Sequence, residues 1–326
     1  MKRVFSAMRP TGRLHLGHYF GALDNWIKLQ KDYECFYGIA DWHALTTNFE
    51  APDDIRENTR QLLLDWLSTG VNTEKSVLFV QSKNLAHAEL YLLLGMITPV
   101  AWLERTPTYK EMQAELSHKD LANYGFLGYP VLMTSDIIIY NAAYVPVGID
   151  QVPHVELSRE IVRRFHTLYN KEVFVEPQAL LTKQAKLPGL DGRKMSKSYD
   201  NSVMLSDIPE VVEKKLKTMV TDTNRKKRSD PGDPECCPVY PYHDIFSTED
   251  EKAEVTAGCK NAGIGCLDCK KILINHVLAF LAPIREKRTR LEREITDADE
   301  YLADSQKKAG EEAEKTVAAV REAIKI

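Results

Sequence analysis

The chain has 326 residues, 44% hydrophobic and 28% charged, with a net charge of −4. This ordinary globular composition fits one large or two medium domains with a substantial buried core. The longest apolar stretches, such as residues 131–140, are too short to span a bilayer. Met1-Lys2-Arg3-Val4-Phe5 opens no signal region, so the expected setting is the cytoplasm. The mild acidity neither announces nor excludes a nucleic-acid partner, because local basic patches supply phosphate contacts whatever the total.

In chain order, residues 4–8 form a short buried-strand candidate. A turn at Pro10-Thr11-Gly12 leads into a helical stretch over 14–30. Residues 35–40 are a second apolar run, 56–67 carry Leu62, Leu63 and Trp66 at helical spacing, and 77–81 are a third strand candidate. Strands alternating with helices predict an α/β architecture, a parallel sheet with helices on both faces and ligands at the carboxyl ends of its strands. Residues 182–201, rich in Gly, Lys and Ser, read as a mobile loop. From Ile208 onward helices are broken by Gly and Pro segments, with a basic Pro-containing loop at 226–234. Residues 311–326 set Ala313, Val317, Val320 and Ile324 on one helical face. The division is an α/β unit over 1–205 and a helical unit over 206–326.

Two segments carry phosphate chemistry. Pro10-Thr11-Gly12-Arg13-Leu14-His15-Leu16-Gly17-His18 joins the first strand to a helix. His15 and His18 share one side of the first turn, where free N–H groups and the dipole attract anions. Gly17 lacks a Cβ, leaving room for a flat base against the backbone. An amphipathic helix start with two exposed histidines is an equal reading of this segment alone. The second segment is Lys194-Met195-Ser196-Lys197-Ser198, after Gly189, Gly192 and Arg193. Two lysines in a Gly-rich loop can close over a triphosphate and neutralise a leaving pyrophosphate; a solvated basic loop is the alternative.

Together, His-Leu-Gly-His and Lys-Met-Ser-Lys-Ser resemble the two signatures of class I aminoacyl-tRNA synthetases, usually H-I-G-H and K-M-S-K-S. The resemblance spans nearly the whole chain. It implies a Rossmann-like doubly wound catalytic domain followed by a helical anticodon-binding domain. It also implies activation of an amino acid by ATP with Mg²⁺, then transfer to tRNA. Such an enzyme positions groups and stabilises charge without a covalent enzyme intermediate. Thr11, His15, His18, Lys194 and Lys197 are the expected transition-state contacts.

Asp41-Trp42-His43-Ala44-Leu45-Thr46, the run from Tyr129 to Ile137, and Val145-Pro146-Val147-Gly148-Ile149-Asp150-Gln151 are similar to the tryptophanyl and tyrosyl branch, and most to bacterial tryptophanyl enzymes. The resemblance assigns the indole N–H to Asp136. An indole offers one donor and no acceptor, which suits a carboxylate, and an unpaired carboxylate penalises phenylalanine. It places Phe5, His43, Met133, Val145 and Val147 around the ring and Tyr129 and Gln151 on the α-amino group. Gly148 and Asp150 fall on the adenosine and Lys110 near the triphosphate. Arg9, Pro10, Gly17, Ile149, Met195, Ser196 and Ser198 complete the expected ATP contacts. Ile149 stands where the family usually has Glu, and Arg9 where many members have Gln. The implied partners are L-tryptophan, ATP and tRNA(Trp), with a second copy of the chain as a homodimer. A tyrosine-specific enzyme, or a synthetase-like RNA-binding or redox regulator without adenylate formation, is the alternative.

Five of six cysteines, Cys236, Cys237, Cys259, Cys266 and Cys269, crowd into one segment. In a reducing compartment this argues for metal over disulfides. Structural zinc sites usually combine two close pairs. One Cys-x2-Cys pair with two singletons better suits an iron–sulfur cube. The segment is similar to a subset of bacterial tryptophanyl enzymes carrying a [4Fe–4S] cluster, which implies Cys237, Cys259, Cys266 and Cys269 as ligands, with Cys236 as the alternate. Cys35 reads as a small core residue. Asn224-Arg225-Lys226-Lys227-Arg228 is a solvated basic loop or a phosphate contact for tRNA.

Overall fold

The computed structural model describes the chain except residues 51, 107–122 and 182–186; Lys110 lies outside the described residues. Five parallel strands form the sheet: β1 (Arg3–Met8), β2 (Glu34–Ile39), β3 (Ser76–Val80), β4 (Tyr144–Val147) and β5 (Gln178–Leu181), in the order β3-β2-β1-β4-β5. The first three answer the predicted runs. β4 and β5 have only four residues each, too short for periodicity to stand out. The chain winds outward from β1 to β3, then crosses to β4. The strand order therefore reverses beside β1, leaving a crevice at the carboxyl ends of β1 and β4.

Alternation along the strands divides the interior. Val4, Cys35, Tyr37, Ile39, Leu78 and Val80 face one core; Phe5, Phe36, Phe79 and Val145 face the other. On the first face Trp26 stacks on Tyr37 at 4.3 Å and meets Trp66 edge-on. Trp66, Leu62 and Leu63 come from the helix Ile55–Thr69. That helix ends where Gly70 takes φ +117°, a conformation that costs a residue with a Cβ.

This core continues without interruption into the later helices. Val212 and Leu216 of Pro209–Thr218, and Leu273, Val277 and Leu281 of Cys266–Glu294, pack with Leu16, Leu23 and Trp66. A buried ion pair rivets the junction. Arg288 Nε donates to Asp65 Oδ1 at 2.7 Å, and Arg288 also donates to Gln61. The last helix, Ala303–Ile324, returns to the sheet and buries Ala309, Ala313, Val317 and Val320 in the second core. It also covers the outer strand. The β3 amides of Leu78 and Val80 donate to Ser305 Oγ (2.7 Å) and Gln306 Oε1 (2.9 Å), so this edge presents no free donor there.

Arg288→Met should lower stability by about 3–5 kcal/mol, since it strands the buried Asp65 carboxylate. Urea unfolding reads the loss; a change below about 1 kcal/mol would show that Asp65 is satisfied without its partner.

Candidate active site

β1 runs out at Met8, and the chain turns over the sheet: Thr11 N–H donates to Arg9 O (2.9 Å) and Gly12 takes φ +97°. Leu14 N–H donates to the buried Asp65 Oδ2 at 2.6 Å, anchoring the turn to the helix Ile55–Thr69. A short helix, Leu16–His18, follows and runs on through a π turn, Tyr19–Leu23, into Asp24–Leu29. His15 and His18 cap it reciprocally. His18 N–H donates to His15 Nδ1 and His15 N–H to His18 Nδ1, both at 3.3 Å. Their rings stack at 3.7 Å. A Cβ on Gly17 would sit 2.9 Å from His15 Nδ1, so this position has to be glycine for the rings to stack. Burial, then the charge of Lys197, lowers the His15 pKa to about 4. Burial, then His15, Lys197 and Lys194, lowers His18 to about 2. Both imidazoles are therefore neutral near pH 7 and act as dipoles rather than cations.

The lysine-bearing segment lies directly against this tip. Met195 is buried, and its Sδ accepts from Gly17 N–H at 3.4 Å. Lys197 Nζ donates to Thr11 O (2.7 Å) and Thr11 Oγ1 (3.2 Å). The chain beyond is zipped to the tip as well: Leu16 N–H donates to Val203 O and Leu205 N–H to Leu14 O, each at 2.9 Å. Inside the segment Asn201 is the organiser. It accepts from Ser196 N–H (2.8 Å) and donates to Asp191 (2.7 Å) and Lys194 O (3.1 Å). Lys194 and Ser198 are exposed. Thr11, His15, Gly17, His18, Lys194, Met195 and Lys197 thus gather at one place, and burial lowers the Lys197 pKa.

Beyond the carboxyl ends of β2 and β3, Asp136 on the helix Tyr124–Ile138 is 3% exposed. Its Oδ2 faces His43 Nε2 (2.9 Å), its Oδ1 faces His87 Nδ1 (2.7 Å), and Gln81 Nε2 donates to both oxygens at 2.8 Å. Burial raises its pKa, but hydrogen bonds from His43 and His87 outweigh this and hold it at about 2. Tyr129 and Met133 precede Asp136 on the same side of that helix. Tyr129 meets His154 edge-on at 5.6 Å. Phe5 and Val145 are buried in one core, with Met133 and Val147 packed against it. Past β4, Gly148 leads into a 3-10 turn, Ile149–Gln151. There Gln151 Nε2 donates to Asp150 Oδ2 at 3.0 Å, and Ile149 is 73% exposed. Arg9 reaches Thr47 Oγ1 at 3.3 Å, and Pro10 is buried.

Cys237, Cys259, Cys266 and Cys269 line one cavity together with Arg225 and His243. Cys236 is exposed and its Sγ lies 3.3 Å from Asp233. Burial and the three neighbouring thiols push Cys269 up to about 12. Among the described residues no group of three or more His, Cys, Asp or Glu side chains is arranged to hold a single ion. Arg225 turns inward, donating to Arg228 O (2.7 Å) and Ile264 O (2.8 Å), which leaves Lys226, Lys227 and Arg228 on the surface.

The comparisons with known proteins agree with this geometry. A family profile described as tRNA synthetases class I (W and Y) matches residues 1–282. The chain belongs to this family. A tryptophan–tRNA ligase from Thermotoga maritima is 51% identical over 326 residues, covering 99% of both chains. One from Aquifex aeolicus is 43% identical over 99% of this chain and all of its own. A tryptophanyl-tRNA synthetase from Campylobacter jejuni, solved with ADP and tryptophan, superposes with a TM-score of 0.87 at 31% identity, covering 99% and 100% of the two chains.

Sequence reasoning overlooked Asp65, Gln81, His87, Tyr140 and Asn201. Only Asn201, closing the lysine segment, carried a positional signal. The others sit within apolar helical or strand runs, where a lone polar residue reads as a satisfied core group.

His15, His18 and His154, the last also lowered to about 4 chiefly by burial, take up protons only in the unfolded chain between pH 6.5 and about 4. Stability should therefore rise with pH across that window. The melting midpoint at pH 5 should lie below that at pH 7.5, and His18→Asn should shrink the gap; an unchanged gap would contradict the buried neutral state.

Proposed function

We propose that the chain is a tryptophan–tRNA ligase whose first step is assembled where the histidine tip and the lysine segment touch. The carrying observation is the pair of contacts from Lys197 Nζ to Thr11 and from Gly17 N–H to Met195. They join the two signature motifs at the switch point of the sheet. ATP enters as its Mg²⁺ complex, with the adenosine toward Gly17, Gly148 and Asp150 and the phosphates toward Thr11, His15, His18, Lys194 and Lys197. The carboxylate of L-tryptophan attacks the α-phosphorus, the bond to pyrophosphate breaks, and an adenylate remains. Neutral His15 and His18 donate hydrogen bonds to the phosphates. Lys197 leaves Thr11 O, and both lysines follow the charge that builds on the leaving group. The terminal adenosine of tRNA then takes the tryptophanyl group and AMP departs. Asp136 receives the indole N–H, Tyr129 and Gln151 the α-amino group, and Phe5, His43, Met133, Val145 and Val147 enclose the ring. The resemblance assigns Lys110 to the triphosphate.

Residues 1–205 form the catalytic part and 206–326 the tRNA-facing part, where Lys226, Lys227 and Arg228 are the exposed cations for phosphate. The chain works as a homodimer in the cytoplasm. Leu85, Leu92, Met96, Val100 and Tyr124 supply the apolar face for a second copy, each more than half exposed. No described helix is long and apolar enough to cross a membrane.

The cysteine cavity fits a [4Fe–4S] cluster on Cys237, Cys259, Cys266 and Cys269. What supports the reading is that the four thiols line one cavity and that their spacing departs from the two close pairs usual in structural zinc sites. Gly232 makes room, since a Cβ there would lie 2.8 Å from Cys259 Sγ. Bound there, the cluster would cross-link the loop before Val239 to the helices Glu249–Lys260 and Cys266–Glu294.

Pyrophosphate exchange measured amino acid by amino acid tests the activity. Exchange supported by tyrosine alone, or tRNA binding with no adenylate at all, overturns the reading. In the same assay Lys197→Ala should lower kcat by about 10²–10³ while the tryptophan Kd moves by less than about threefold; equal losses in both would contradict a transition-state role. Protein purified without oxygen should carry iron and acid-labile sulfide, lost in Cys237→Ser and kept in Cys236→Ser. Zinc in their place excludes the cluster.

A further inference from the structure

Asp136 is surrounded by three donors, and they are not equivalent. His87 is 0% exposed, with both ring nitrogens engaged: Nδ1 on Asp136 Oδ1 at 2.7 Å and Nε2 on the Tyr140 hydroxyl at 2.8 Å. An ionised carboxylate only accepts, so Nδ1 carries a proton and donates to Asp136, while Nε2 shares a hydrogen bond with the Tyr140 hydroxyl. The direction of the bond from His87 to Asp136 is thereby set, and Tyr140 holds the far edge of the ring. Tyr140 is fully buried and fixed in turn by rings of the sheet, stacking on Phe36 at 4.6 Å and packing against Phe79 at 5.0 Å. His87 comes from the helix Ala86–Ile97 and Asp136 from Tyr124–Ile138, so the chain of bonds ties two helices to the aromatic core. Gln81 is held on one side only: its Nε2 serves Asp136, while its buried Oε1 has no partner among the described residues.

We propose that His87, oriented by Tyr140, is a positioning residue for amino-acid selection, fixing the Asp136 carboxylate so that it meets the indole N–H. The proposal rests on the reading that Asp136 faces the indole. Gln81 is the loosely held donor whose place the indole takes. His87 touches no substrate. Its effect is felt through the angle and ionisation of Asp136, and hence through tryptophan binding rather than through phosphoryl chemistry.

The test compares L-tryptophan with 3-(benzothiophen-3-yl)-alanine, in which sulfur replaces the indole N–H, in ATP–pyrophosphate exchange by the full-length enzyme. His87→Phe should raise the tryptophan KM roughly 10- to 100-fold, the loss expected when a buried polar pairing fails. The kcat and the ATP KM should stay within about threefold, and the preference for tryptophan over the sulfur analogue should collapse by the same factor as KM. His87→Asn, which keeps an amide donor toward Asp136, should recover most of that preference. Tyr140→Phe, which keeps the ring stack, should lose roughly fivefold, the scale of one neutral hydrogen bond. Equal losses for both amino acids would assign His87 a purely structural part and overturn the proposal. Asp136→Asn separates the two readings. If it leaves the preference intact, the indole contact is wrong and the proposal falls with it. If it abolishes the preference while the His87 and Tyr140 variants keep it, the proposal alone falls.

Discussion

The contact on which the proposed chemistry depends is an ammonium resting on a main-chain carbonyl, Lys197 Nζ on Thr11 O. Residues nearly two hundred positions apart meet there, and the geometry that lets them meet is layered. The sheet reverses its winding beside β1. Asp65 holds the turn by accepting the Leu14 amide. Residues 203–205 return alongside the tip and share main-chain hydrogen bonds with it. The lysine is held by an uncharged acceptor, a weaker hold than a carboxylate would provide. A polyanion entering the crevice can therefore draw it away at small cost. The two imidazoles beside it are kept neutral by burial and by the lysines themselves. In this site positive charge resides on side chains that can move, and the parts fixed to the scaffold contribute dipoles.

The helical region after residue 205 shares its interior with the α/β region. Leu273, Val277 and Leu281 pack with Leu16 and Trp66, and Arg288 reaches back to the same Asp65 that supports the histidine turn. One carboxylate thus serves both the placement of the tip and the seating of the long helix Cys266–Glu294. A strain imposed on that helix has a short covalent and hydrogen-bonded route to the histidine turn, through residues with little freedom to absorb it.

The fold was legible in the sequence wherever a periodic apolar run was long enough to register. The first three strands and the helix bearing Leu62, Leu63 and Trp66 were visible; the four-residue strands β4 and β5 were not. The signature motifs were legible because they break the pattern around them, with histidines at a helix start and lysines among glycines. What held those motifs in place was harder to see. Asp65, His87 and Tyr140 lie within apolar stretches, and their meaning depends on which distant groups they meet, a property of the folded chain and not of any window of sequence. The reciprocal capping of His15 and His18 could be anticipated from their spacing, but the suppression of their charge could not, because it arises from burial and from lysines far along the chain. The cysteine spacing pointed to a shared site, and the folded chain places those four thiols around one cavity.

The covering of β3 by the final helix has a consequence for how the protein is made. The two amides that Ser305 and Gln306 satisfy belong to a strand completed by residue 80, but the groups that satisfy them lie 227 and 226 residues further along the chain. Until those residues are made the growing polypeptide carries an open sheet margin, the kind of surface that recruits neighbouring strands on crowded polysomes. Closure comes only when Ser305 and Gln306 have left the ribosome and folded back. A product cut short before the helix Ala303–Ile324 would therefore retain every signature motif and yet be prone to clump.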